Sequence, residues 1–269
     1  MLYLIPTPIG NLDDWTYRAV KTVQLCDYLL AEDTRRSKIL LNHYDLHSKL
    51  ISFHKFNEKQ REESVIADLK GGATLGLISD GGTPLIQDPG ASLVKRCREE
   101  NISVSALPGP CALVTALTLI GGSEPFHFLG FLSKKESERK HSFITALLSQ
   151  GLSLFYETPH QILKTLKELS EIDPNCRVWI ARELTKKFEE SLNGSSFELL
   201  HHFQNTAPKG EFVFIIEGQG PFPVDEDPKK LVQKIQNAFQ LTQKEAIELA
   251  AKLMFKSKKI LYREIHNLN

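Results

Sequence analysis

The chain has 269 residues, 41% of them hydrophobic, which is ample for two modest α/β cores or one large one. Basic and acidic side chains number 33 each, so total charge singles out no polyanionic partner, yet residues 227–269 hold nine Lys/Arg against four Asp/Glu on an otherwise mildly acidic chain. Four isolated cysteines with no CxxC pair argue against a zinc or other metal site, and there is neither a leader-like N-terminus nor an apolar run of about 18 residues, so the reading is a soluble cytoplasmic protein with no membrane partner.

In chain order, Leu2–Ile5 reads as a short apolar strand broken by PTPIGN (6–11), and Asp14 is placed to cap a helix carrying Trp15, Ala19, Val20 and Val23 on one side. Strands follow at Tyr28–Ala31, ending in EDTRR, and at Leu50–Phe53; Asn57 is placed to cap a helix that ends at Gly71-Gly72. A fourth strand, Thr74–Ser79, runs into SDGGTPLIQDPG (79–90), a loop with three Gly, two Pro and two Asp. A helix over Ala91–Glu100, a strand over Ile102–Leu107, the break PGP and an apolar helix over Cys111–Ile120 complete a βα rhythm that predicts a largely parallel sheet covered on both faces. GGSEP (121–125) reads as a linker.

A second alternating region has strands at Phe126–Leu132, Leu152–Tyr156, Cys176–Ala181 and Glu211–Glu217, helices near 135–149 and 160–171, and in FEESLNG (188–194) an edge strand and turn. GQGPFPVDED (218–227) marks another boundary. The tail is helical, with Leu231, Ile235 and Phe239 on one face and Ala246, Leu249, Ala250 and Leu253 on another. The expected organisation is α/β throughout: an N-terminal α/β domain over 1–121, a second over 126–218 and a helical extension over 228–269.

Four Pro/Gly breaks fall at strand ends: PTPIGN, the 79–90 loop, PGPCA (108–112) and YETPH (156–160). In a parallel sheet the carboxyl ends of the strands share one edge, so the first three converge there, and a cleft between two α/β domains is the simplest site they could build with the fourth. Neither GxGxxG nor GxxxxGK[ST] is present, so a dinucleotide or triphosphate is not expected. Asp80 and Asp88 repel phosphates and suit hydroxyls, amines or a cation. S-adenosylmethionine, with its ribose, ammonium and sulfonium, fits that chemistry.

TPIGNL (7–12), AEDTRR (31–36), ISFHKFNE (51–58), the 79–90 loop, LPGPCAL (107–113), FYETPHQIL (155–163), ARELTKKFEE (181–190) and PKGEFVFIIEG (208–218) occur in that order. Together they resemble the tetrapyrrole methylases, or class III methyltransferases, over nearly the whole chain, and TPIGNL, AEDTR and ARELTKKFEE resemble the branch of that family that acts on ribosomal RNA. The resemblance implies S-adenosylmethionine-dependent 2′-O-methylation of a cytidine ribose in the decoding region of 16S rRNA, with the small ribosomal subunit as partner. It further implies two α/β domains with the cofactor in the cleft, in a homodimer. It places cofactor contacts at Pro8, Asp80, Gly82, Thr83, Ile86, Cys111, Ala112, Tyr156, Gly210, Glu211 and Phe212. This chain departs from the pattern with Gly81 for Ala, Cys111 for Ser and Thr158 for Ser; a thiol is a weaker donor than a hydroxyl.

A ribose hydroxyl attacking a sulfonium methyl benefits from positioning, from exclusion of water and from a base or polarising group. Candidates are Asp33, Arg35, Glu157, His160, Glu183 and Lys186. Arg36, Lys134, Lys135, Arg139, Lys187, Lys258 and Lys259 are candidate RNA contacts, with Lys140, Lys256 and Arg263 beside them. Two other readings stay open: a C-methyltransferase acting on a tetrapyrrole ring, whose members resemble GxGxGD where this chain has TPIGNL, and a non-catalytic RNA-binding module.

Overall fold

The structure, a computed structural model, describes residues 1–122, 125–219, 227–239 and 241–266. Ser123 and Glu124 of the expected linker, and 220–226 of the expected second boundary, lie outside the described residues. The chain divides into two compact units: Met1–Ala116 with Glu183–Glu189, and Leu117–Arg182 with Glu190–Asn269.

The first unit runs β1 (Leu2–Ile5), α1 (Tyr17–Leu25), β2 (Tyr28–Ala31), α2 (Thr34–His43), β3 (Leu50–Ser52), α3 (Glu58–Lys70), β4 (Leu75–Ile78), α4 (Ala91–Glu99), β5 (Val104–Ala106) and the start of α5 (Ala112–Leu119). Its sheet has the order β3-β2-β4-β1-β5 with every pairing parallel. Alternate residues of each strand supply opposite clusters, as the period of two requires. Leu4, Leu30 and Leu77 pack with Val65, Ile66 and Leu69 of α3 and with Leu93 and Val94 of α4. Their neighbours Ile5, Leu29, Ala31 and Ile78 pack with Ala19 and Val23 of α1 and with Leu40 and Leu41 of α2. Burying an aliphatic side chain of this size is worth roughly 1.5–3 kcal/mol, so the two apolar layers account for strands that are hydrophobic on both faces.

Two expected caps are corrected. Asn11, not Asp14, accepts at the first turn (Asp13 N to Asn11 Oδ1, 3.1 Å), which is a 3-10 turn over Leu12–Asp14, and Thr16 caps α1 by accepting from Ala19 N. Asn57 precedes α3 but its side chain turns back, accepting from His54 N at 2.8 Å instead of capping the helix. Helix α2 is additional to the expected elements; Asp33 nucleates it by accepting from Arg35 N.

The second unit contains β6 (Phe126–Phe131), α6 (Glu136–Leu148), β7 (Leu152–Glu157), α7 (Ile162–Ile172), β8 (Arg177–Arg182), β9 (Glu190–Ser195), α8 (Ser196–Asn205) and β10 (Phe212–Glu217). The tail adds α9 (Pro228–Phe239), α10 (Gln243–Leu253) and α11 (Lys258–His266). Its sheet is mixed, in the order β6-β7-β10-β8-β9: β6 and β7 are parallel and the other pairings antiparallel. The edge strand read from FEESLNG is β9. Helix α8 is also additional, closed by a capping box in which Ser195 and Glu198 exchange side-chain and backbone hydrogen bonds. The tail has a core of its own, in which Leu231, Ile235, Ala246, Leu249 and Leu261 gather on Ile144 of α6. Among the described residues no helix is long and apolar enough to cross a membrane.

Candidate cofactor and substrate site

The three loops at the carboxyl ends of β1, β4 and β5 are tied to one another inside the first unit. Thr7 and Gly82 exchange backbone hydrogen bonds of 2.9 Å in both directions, and the Thr7 hydroxyl donates to Ser79 O at 3.1 Å. The Thr83 hydroxyl donates to Pro110 O at 2.9 Å, joining the second loop to the third. The third meets the first where a Cβ on Gly109 would stand 2.6 Å from Pro6 Cβ. Trp15 Nε1 donates to Pro6 O at 2.8 Å and holds the first loop from beneath. Pro8, Thr83, Cys111 and Ala112 are half-buried along this junction and Gly82 is buried.

The 79–90 loop is strained. Gly82 has φ +95°, and Leu85 and Gln87 have φ near +70°, a region that side chains rarely adopt. The two left-handed residues flank Ile86 and turn it outward, leaving it 37% exposed rather than in the core. Apolar surface held out at this cost is suited to a ligand.

The AEDTRR segment sits against the same loop. Asp80 accepts from Asp33 N at 2.9 Å and pairs with Arg36 at 3.3 Å. Arg36 is therefore partly neutralised by Asp80. Asp33 grips Arg35 through two hydrogen bonds, 3.0 Å from Nε and 2.7 Å from Nη2, and these hold its carboxyl well below the usual carboxylate range. In this arrangement Asp33 serves Arg35 and the start of α2, and a carboxyl held low is a weak base. Glu32, which the sequence did not single out, joins Asp80 and Asp88 in a carboxylate group. Burial first, and then Glu32 and Asp80, push Asp88 up to about 7, and burial and Asp80 raise Glu32.

The ARELTKK loop packs on TPIGN. A Cβ on Gly10 would lie 2.4 Å from Lys186 Cγ and 3.0 Å from Leu184 O, and Asn11 N donates to the Thr185 hydroxyl at 3.0 Å. Glu183 and Thr185 have φ of +50° and +66°; Lys186 Nζ reaches Glu183 Oε1 at 2.8 Å, and Thr185 N donates to Glu189. The fold thus holds Glu183 and Lys186 together beside the first loop. Thr185 was not legible as part of this contact. Lys187 lies over the exposed Phe188 ring at 5.7 Å.

In the second unit Tyr156 packs edge-on against Phe128 with ring centroids 4.9 Å apart. Gly210 is left-handed at φ +86° and Glu211 is exposed. Phe212 is 2% exposed, its side chain inside the core, which leaves its backbone as the part of it that a ligand could meet. Glu157 is buried, with one oxygen accepting from Thr158 N at 2.8 Å and the other from the Thr165 hydroxyl at 2.6 Å, and burial raises it. It fixes the β7–α7 turn. His160 is exposed there. Arg139 is 1% exposed, doubly bonded to Glu168 (2.7 and 2.5 Å) and donating to Ser133 O at 2.7 Å, so it is a buried strut and not an RNA contact. Lys134 and Lys135 are exposed, the latter paired with Glu138, and Lys258 is paired with Glu248.

The tetrapyrrole (corrin/porphyrin) methylase family model matches residues 1–200. A relative from Halalkalibacterium halodurans named ribosomal RNA small subunit methyltransferase I is 40% identical over 98% of this chain and 94% of its own length. One of the same name from Escherichia coli O157:H7 is 39% identical over 97% of this chain and 93% of its own. Among solved structures, a cobalt precorrin-4 methyltransferase superposes with a TM-score of 0.58 at 13% identity over 80% of this chain and 94% of that one. A Thermus thermophilus uroporphyrin-III C-methyltransferase complexed with S-adenyl homocysteine gives 0.56 at 12% identity over 80% of this chain and 96% of that one. At those identities the likeness speaks to fold alone. Family model, near-full-length relatives and parallel sheet agree: the chain belongs to the tetrapyrrole (corrin/porphyrin) methylase family.

Proposed function

We propose that this chain is an S-adenosylmethionine-dependent methyltransferase of ribosomal RNA, and that it methylates the 2′-oxygen of a cytidine ribose in the decoding region of 16S rRNA. The observation that carries this reading is the 40% identity, across 98% of the chain, with a protein named for ribosomal RNA small subunit methylation. TPIGN and ARELTKK, the motifs that set the ribosomal branch apart, are also the two segments packed together at Gly10 and Lys186.

The first unit's loops suit the cofactor. Glu32, Asp80 and Asp88 gather negative charge, which favours an ammonium and a sulfonium and disfavours phosphate. When bound, the cofactor supplies a methyl group on cationic sulfur. Pro8, Asp80, Gly82, Thr83, Ile86, Cys111 and Ala112 are the contacts proposed here, with Asp80 and Asp88 accepting from hydroxyl or ammonium donors and the 79–90 loop excluding water. Because Asp33 is engaged by Arg35 and Glu157 is buried on Thr158 and Thr165, Arg35, Glu183 and Lys186 are proposed to orient the ribose, and Lys187 and Arg36 to meet its phosphates.

A homodimer is proposed as well. Strand β6 ends the second sheet and exposes Phe126, Leu129 and Phe131 by 45, 46 and 52%, an apolar edge that a second copy would cover.

The test is methyl transfer from labelled S-adenosylmethionine to small ribosomal subunits taken from a strain lacking the activity. Nuclease digestion and mass spectrometry should then show 2′-O-methylcytidine. A base-methylated nucleoside would overturn the 2′-O reading. Labelling of a uroporphyrinogen-type ring, with none on the subunits, would overturn the RNA reading.

A further inference from the structure

The tail ends α10 in an unusual way. Lys256 N closes on Ala251 O at 2.9 Å and Phe255 N on Lys252 O at 3.2 Å, the paired bonds of a helix stop whose left-handed position normally holds Gly or Asn. Here that position is Phe255, at φ +52° and 97% exposed. The ring contributes nothing to the core beneath it, and the backbone is strained to present it.

Its surroundings are cationic. Lys256 pairs with Glu264 at 2.7 Å and Lys258 with Glu248 at 2.8 Å. Lys259 and Arg263 are exposed, stand four residues apart on α11 and make no ion pair among the described residues. Tyr262, 48% exposed, lies beside them with its ring 4.4 Å from that of His266. A flat ring and two free cations on a helical tail match a polyanion with exposed bases; a protein partner would call for an apolar groove around the ring. The family match stops at residue 200, before this tail begins, whereas the Halalkalibacterium halodurans relative named for ribosomal RNA aligns over 98% of the chain.

We infer that α10, α11 and the turn between them form a single-stranded RNA contact, in which Phe255 stacks on an unpaired base while Lys259 and Arg263 hold adjacent phosphates. This rests on the reading of the chain as a ribosomal RNA methyltransferase and adds a second element that holds the RNA.

The test uses the full-length protein and a labelled 20-nucleotide single-stranded RNA of mixed sequence, followed by fluorescence anisotropy. Phe255→Gly should bind about ten-fold more weakly, since a stacked base is lost, while its Tm stays level or rises because glycine relieves the strain. Phe255→Trp should bind within about two-fold of the native chain. Lys259→Gln with Arg263→Gln should lower the salt slope by about 1.4. Calorimetry with S-adenosylmethionine should be unchanged in all three. Native RNA affinity in Phe255→Gly overturns the inference. So does a loss of affinity seen on assembled small subunits but not on the free RNA, which would place the ring on a ribosomal protein. Methyl transfer to subunits by the native chain is scored separately, so failure of the methyltransferase reading is distinguishable from failure of the tail contact.

Discussion

Gly10 leaves no room for a side chain beside Lys186: a Cβ there would fall 2.4 Å from Lys186 Cγ and 3.0 Å from the Leu184 carbonyl. Because one of the obstructing atoms is backbone, rotation of the lysine alone does not relieve the clash. Gly10→Ala should therefore displace Glu183 and Lys186 at a cost of about 1–3 kcal/mol. Methyl transfer to small subunits should drop at least about ten-fold, with S-adenosylmethionine binding close to native by calorimetry. Native turnover in this variant would remove the loop from the reaction.

Thr83 joins two loops through one hydrogen bond to Pro110 O. Thr83→Val keeps the shape and removes the donor, so cofactor affinity should fall about five-fold, the worth of one neutral hydrogen bond. Titration calorimetry gives the answer directly, and an unchanged Kd would show that the two loops are held by their other contacts.

Asp88 gives a pH signature. Its carboxyl sits near 7 in the folded chain, above the ordinary 3.8, so the folded state binds the extra proton between those values. Stability contributed by Asp88 is thus present at low pH and lost as pH rises toward 7. Asp88→Asn, which cannot ionise, should have the higher Tm at pH 8, and the gap should narrow as pH falls below 7 and close near pH 4. Parallel Tm profiles for the two proteins would show that Asp88 does not titrate in that window.

Arg139 tests the correction made at α6. Arg139→Ala removes a buried guanidinium and leaves the half-buried Glu168 with only the distant Lys164 at 3.9 Å, and should cost about 3 kcal/mol in urea unfolding, while Arg139→Met with Glu168→Leu should recover most of it. Neither change should alter the salt slope of RNA binding. A slope change at unaltered stability would return Arg139 to the surface.

The β6 edge predicts the oligomeric state. Leu129→Glu with Phe131→Glu places charge on the exposed apolar strand and should give a monomer in sedimentation velocity where the native chain sediments as a dimer. A native chain that is already monomeric would end the dimer proposal.

How far the sequence was legible depends on whether a signal was local. Strands β1, β2 and β4 are short apolar runs cut off by Gly, Pro or Asp, so they stand out, and the parallel pairing of β4, β1 and β5 brings the loops at 6–11, 79–90 and 108–112 to one edge. Helix α8 carries a local signal, since Ser195 and Glu198 spell a capping box. Helix α2 carried little, because its buried face is only Ser37, Leu40 and Leu41 behind three polar residues. Arg139 could not be read at all: KKESERK looks like a solvated face, and the partner that buries it, Glu168, lies 29 residues away. The same holds for Thr185, whose hydroxyl accepts from Asn11 N, 174 residues earlier.

That last bond has a consequence for how the chain is made. The first unit is discontinuous: after Ala116 the polypeptide departs, and Glu183–Glu189 completes the unit later. During synthesis, the loop at Gly10 and Asn11 must wait, without its lid of Leu184, Thr185 and Lys186, until most of the second sheet's strands have emerged. A fragment ending at Ala116 would carry every strand of the parallel sheet yet lack this closure, and the nascent chain would stay unfinished at the loop of Gly10 and Asn11 until Glu189 had followed.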